Sequence, residues 1–207
     1  MFIRSKTTSR AVMLGAAMVL AIGCAGPTTS ADAAAKAPAA SARAQTSDTY
    51  EQGEIVPAVA DFFGITAEAA GQLVERVFRE NGRPTGYIRG SEGSAALGVG
   101  VRYGEGDLRL KNGQTQKVFW QGPSIGFDTG ANASKVFTLV YGMRDSTKMF
   151  QRYPGVEGSA YLVGGVGVNY QRADDITLAP MRAGVGLRAG ANVGYLAYTR
   201  ERHILPL

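Results

Sequence analysis

From Pro84 onward the chain consists of short apolar runs that carry glycine inside them, and this pattern constrains the fold more than any other feature. Residues 93–103 read GSAALGVGVRY, residues 158–170 read GSAYLVGGVGVNY, and residues 182–195 read RAGVGLRAGANVGY. Glycine weakens a strand, so its repeated use there must serve geometry: sharp bending and close approach of backbones in a small barrel. The three runs read either as duplicated hairpins or as convergent composition. Leu108 and Leu110 alternate with Arg109 and Lys111, and Ile176 and Leu178 alternate with Thr177 and Ala179, which is the period of a strand. Residues 136–141 (VFTLVY) are apolar on both faces, so one face is expected toward the sheet interior and the other toward the N-terminal helices. Gly104-Glu105-Gly106-Asp107 and Asn112-Gly113 read as turns. Counting runs predicts a mainly β domain with N-terminal helices: a small antiparallel β-barrel of about ten short Gly-rich strands, mostly hairpin-linked, with helices packed against it.

Two helices are expected before the strands. Residues 54–64 (EIVPAVADFFG) space Ile55, Val56, Val59, Phe62 and Phe63 as a short helix does, with Pro57 placed in its first turn. Thr66 then offers an N-cap, and Ala70, Leu73, Val74, Val77 and Phe78 form a helical stripe that stops at Asn81-Gly82. The opposite face mixes Glu75, Arg76, Arg79 and Glu80, a poor surface for lying on a membrane, so the stripe is expected to pack on its own domain. Residues 146–153 read as a helical turn before Pro154-Gly155.

The front of the chain is an address. Arg4, Lys6 and Arg10 precede an apolar run, residues 11–23, that is too short for a permanent membrane span, so residues 1–23 read as a bacterial export signal. The run stops at Cys24, the only cysteine, where small residues would admit a signal peptidase and the thiol would take a lipid. A later cut after Ala31-Asp32-Ala33 is the alternative; the lipoprotein reading is preferred because the cysteine sits where the apolar run ends. Residues 24–53 form an Ala/Ser/Pro-rich disordered tether, leaving residues 54–207 as the barrel domain. The net charge of +5 includes the three leader cations; without them 19 basic residues face 17 acidic, or +2, so nucleic acid is not implied. The expected location is the periplasm, membrane-tethered through Cys24 if acylated.

Residues 117–130 (KVFWQGPSIGFDTG) hold the only tryptophan, Trp120, and read as strand, tight turn at Gly122-Pro123, strand. Trp120, Gly122, Pro123, Ser124, Gly126 and Asp128 are accordingly the candidate structural or ligand hairpin, with Trp120 expected as a core anchor rather than a stacking platform. Gly122–Gly126 matches G-x-S-x-G, and Asp174 or Asp175 and then His203 follow in hydrolase order. The match fails because no helix is expected after Ser124. Residues 184–189 fit G-x-G-x-x-A, but Gly190 and Gly194 deny it a helix. One histidine and one cysteine exclude the common zinc sets, and no calcium loop surrounds Asp128, Asp174 or Asp175. No catalytic residues, metal or cofactor are expected.

The KVFWQGPSIGFDTG run, with RYGEGDLRLKNG before it and YPGVEGSAYLVGGVGVNY after it, resembles the EipA (envelope integrity protein A) family, a bacterial periplasmic domain of unknown function. The resemblance covers about residues 54–199. It implies an exported small antiparallel barrel that maintains the Gram-negative envelope without a known enzymatic activity or ligand. Trp120, Pro123 and Ser124 with the following glycines are also similar, over a shorter stretch, to SYLF lipid-binding domains. The expected function is therefore non-enzymatic binding of a lipid, a glycan or an envelope protein. The alternatives are a small outer-membrane β-barrel, which Arg102, Arg109, Lys111 and Lys117 argue against by interrupting an apolar outer face, and a serine hydrolase using Ser124.

Overall fold

The computed structural model describes residues 48–126, 132–157, 159–183 and 194–203. The expected leader, Cys24, most of the tether, Asp128 and the G-x-G-x-x-A stretch lie outside the described residues.

Helix α1 (Gln52–Phe63) opens two residues earlier than the sequence predicts, at Glu51, whose N–H donates to the Glu54 carboxylate at 2.9 Å. Pro57 consequently lies past the first turn, inside the helix. Helix α2 (Ala67–Asn81) is capped by Thr66, whose hydroxyl accepts from the Ala69 N–H, and ends at Gly82 with φ 77°. Its stripe of Ala70, Leu73, Val74 and Val77 is wholly buried.

Nine strands follow among the described residues, paired antiparallel in one sheet: β1 (Gly86–Leu110), β2 (Thr115–Gly126), β3 (Asn132–Tyr141), β4 (Arg152–Pro154), β5 (Tyr161–Val163), β6 (Val166–Val168), β7 (Gln171–Ala173), β8 (Ile176–Ala183) and β9 (Tyr195–Thr199). The order is β4-β9-β2-β1-β3-β8-β6-β5, with β7 on β8. A bridge between Gly155 and Gln171, beside a 2.9 Å bond from the Val156 N–H to the Tyr170 carbonyl, draws the β4 and β7 ends together and curls the sheet into a barrel.

The 25-residue β1 makes the curl possible. Its first half pairs with β3 and its second half with β2, and the two halves lie against each other. A Cβ on Gly106 would stand 2.6 Å from the Arg89 carbonyl oxygen, and one on Gly90 would meet the Glu105 carbonyl oxygen, so only glycine lets the strand double over itself. The predicted turn at residues 104–107 is thus strand, whereas Asn112-Gly113 does turn, with Gly113 at φ 92°.

The expected reversal at Gly122-Pro123 is likewise overturned. β2 runs straight through both residues, Gly122 opposite Arg102 and Pro123 opposite Val101. Glycine is needed at 122 because a Cβ would run into the Tyr195 carbonyl oxygen. Pro123 is tolerated because the β9 ladder stops at Gln121, so that among the described residues no strand pairs with that side of β2 at Pro123. The first two glycine runs are not duplicated hairpins either: residues 93–103 lie within β1, while residues 159–170 hold the β5–β6 hairpin; most of the third run, residues 184–193, lies outside the described residues.

Alternation sorts side chains into two cores. Phe137, Leu139 and Tyr141 of β3 and Ala179 and Met181 of β8 face outward onto α1 and α2, with Val166, Val168 and Tyr170. Val136 and Val140 of β3 and Ile176 and Leu178 of β8 face inward with Ile88, Leu108, Val118, Trp120, Tyr153, Leu196 and Tyr198. β8 is therefore buried on both faces.

Candidate functional site

Three of the strands that line the barrel interior deliver polar groups to the same level. Glu92 comes from the first half of β1, Arg102 from the second, Arg182 from β8 and Trp120 from β2. The Glu92 side chain is 4% exposed, and its Oε1 accepts from Arg182 Nε at 2.7 Å and lies 3.5 Å from Arg102 Nε. Its Oε2 accepts from Trp120 Nε1 at 3.1 Å. Arg182 also donates to the Asn169 amide oxygen. Burial alone would raise the Glu92 carboxyl, but the Arg182 and Arg102 charges and the two hydrogen bonds outweigh it and hold the group below its ordinary value. Burial, and then the Arg182 charge, lower Arg102.

One carboxylate thus faces two guanidiniums, and among the described residues Arg102 Nε and Arg182 Nη2 are buried without a hydrogen-bond partner. Trp120 lies across Gly104, where any Cβ would strike the indole; this is why glycine stands there. The ring lies 5.7 Å from that of Tyr198, tilted by 38°, and the residue is 3% exposed. Trp120 is a core residue, as expected, and belongs to the barrel interior.

Directly outside this centre runs a groove. A cavity of about 460 Å³ is walled by Tyr103, Glu105, Phe119, Gln121, Arg202 and His203, with Glu92 and Trp120 at its base. A second cavity of about 220 Å³ shares Gln121, Thr199 and His203 and extends past Ala197 to Gln151 and Arg152. Gln121, next to inward-facing Trp120, points to the outer face, yet it is only 5% exposed and its Oε1 has no hydrogen-bond partner. Arg202 donates to Glu105 and lies 5.9 Å over the Phe119 ring; Arg152 lies 5.0 Å over Tyr195.

Of the residues the sequence singled out, Trp120 forms the base of the groove and Gly122 and Pro123 continue β2 beside it. Ser124 and Gly126 extend the same strand, paired with Gly100 and Gly98; the strand context that spoke against a nucleophile elbow holds through Gly126. Asp174 and Asp175 are exposed in the β7–β8 turn, with Asp174 at φ 50°, and His203 stands alone of the three on the groove wall. Among the described residues no three His, Cys, Asp or Glu groups cluster to hold a metal. The sequence reading missed Glu92, Arg182 and Gln121. The signal was there in weak form: Glu92 stands inside a Gly/Ser run and Arg182 ends an otherwise apolar one.

The family model described as envelope integrity protein A (EipA) matches residues 48–207. A crystal structure of a β-barrel-like, uncharacterised protein from Brucella abortus is similar at 44% identity with a TM-score of 0.70, covering 77% of this chain and 99% of that one. No curated protein matches.

Proposed function

The chain belongs to the envelope integrity protein A (EipA) family, and from that premise we propose that it supports the bacterial envelope by binding rather than by catalysis, using the groove above Trp120. The observation that carries this reading is Gln121: an amide buried in the groove wall, its acceptor oxygen unpartnered among the described residues, is stabilised when a ligand donor reaches it. The Glu92 carboxylate at the groove base is held below its ordinary value and in its charged form by two arginines, so it anchors structure and is not poised for proton transfer. An export leader and a lipid on Cys24 would deliver the domain to the periplasm and tether it there. An outer-membrane barrel fits less well, because α1 and α2 cover the apolar outer face of β3 and β8.

Complementation tests the reading. Loss of the gene is expected to sensitise cells to detergents and wall-directed antibiotics, and Ser124→Ala to rescue fully. Gln121→Leu and Phe119→Ala, accumulating as folded protein, are expected to fail. Full rescue by both groove variants, or failure of the Ser124 variant, overturns it.

A further inference from the structure

The groove's chemistry narrows its ligand. We propose that it takes an acidic glycan, a saccharide chain carrying carboxylate or phosphate groups; this rests on the groove being the binding site.

Three features converge. Phe119 and Tyr103 present rings along one wall, surfaces against which the C–H face of a sugar ring packs. Gln121 Oε1 is an acceptor awaiting a donor, and a hydroxyl supplies one where an acyl chain would seal it off unsatisfied. The inward side chains fill the barrel, Tyr153 being wholly buried and Trp120 and Tyr198 3% exposed, so an acyl chain finds no room in that core.

Charge then selects among glycans. Arg202, paired with Glu105 on the same wall, and Arg152 rim the two cavities, and the centre beneath the groove holds the Arg102 and Arg182 guanidiniums against the Glu92 carboxylate, so four cations face two carboxylates around the groove. Arg182 Nη2 lacks a partner there, and its side chain is 9% exposed. An excess positive charge under a low-dielectric floor attracts an anion in the groove above it and leaves a neutral chain without that gain. The half-open form, continuous from β1 across β2 to β4, suits a chain passing through rather than an enclosed small molecule.

Titration calorimetry on the purified protein tests this with four probes: a tetragalacturonate, its carboxyl-reduced neutral counterpart, a phosphorylated oligomannoside, and phosphatidylglycerol vesicles. The uronate or the phosphorylated chain is expected to bind at least tenfold tighter than the neutral one, and which of the two binds tells carboxylate from phosphate. Gln121→Leu is expected to weaken binding about tenfold. Arg202→Gln, at a side chain 68% exposed, is expected to shrink the acidic-to-neutral ratio and flatten the salt dependence without altering the melting temperature. Equal binding of the neutral chain, binding of vesicles alone, or no binding of either acidic glycan overturns the ligand class while the groove reading stands or falls by complementation. Tight acidic-glycan binding untouched by Gln121→Leu and Arg202→Gln overturns the groove itself.

Discussion

The two faces of one sheet solve burial in different ways. Outward, β3 and β8 meet α1 and α2 through aliphatic and aromatic side chains: Phe137 stacks with Tyr87 at 5.3 Å and meets Phe62 edge-on at 5.6 Å, and polar links such as Tyr170 donating to Glu80, Lys135 to the Phe62 carbonyl and Arg89 to Asp61 border this layer. Inward, the same strands close over glycine-tight backbone contacts and a buried ion cluster that the Trp120 indole helps to satisfy. A helix layer can slide and repack by small amounts, because apolar contacts are non-directional. The interior cannot, because each carbonyl, guanidinium and ring there has a single place. The difference teaches that the outer face supplies stability of a generic kind, whereas the inner face specifies shape and, through Trp120 and Glu92, builds the base of the groove.

The sharpest way to break this contrast is Trp120→Ala, expected to cost about 3–5 kcal/mol by leaving a cavity and removing a donor from Glu92. Chemical denaturation measures it, and a loss below about 1 kcal/mol would show that the interior adapts as the helix side does.

Next comes Glu92→Gln, expected to cost about 3 kcal/mol because two buried guanidiniums lose their counter-charge. Its pH signature is distinctive. The folded carboxyl lies below its ordinary value, so its stabilisation is present above the unfolded value of about 4.3 and is lost as pH falls through the folded one. Melting temperature followed from pH 6 to pH 2 should fall more steeply for the native protein than for the variant; parallel curves would remove Glu92 from the account.

On the other face, Leu73→Ala should cost about 2–3 kcal/mol and leave binding at the groove unchanged. A matching loss of glycan affinity would show that the faces are coupled. Smallest is Thr66→Ala, about 1 kcal/mol from the lost α2 cap, read from the thermal midpoint with no change in the pH profile.

Periodicity and composition alone determined the class of fold: helical stripes before residue 84, alternating and two-faced apolar runs after it, and glycines placed where strands must bend. These are local properties, each written in a window of a few residues, and α2, the two faces of β3 and the turn at Asn112-Gly113 follow from them. Local signals misled where a glycine answered a distant neighbour. Gly104, Gly106 and Gly122 look like turns in sequence and are strand in space, because what they avoid is Trp120, the Arg89 carbonyl and the Tyr195 carbonyl, up to 73 positions away for Gly122. The ion cluster is out of reach of sequence reasoning for the same reason: Glu92 and Arg182 are separated by 90 residues and meet only because β1 doubles back and β8 crosses beside β3. The tertiary structure alone decided which polar side chains are buried together, since register, and not composition, sets which groups from separate strands share a level and a face.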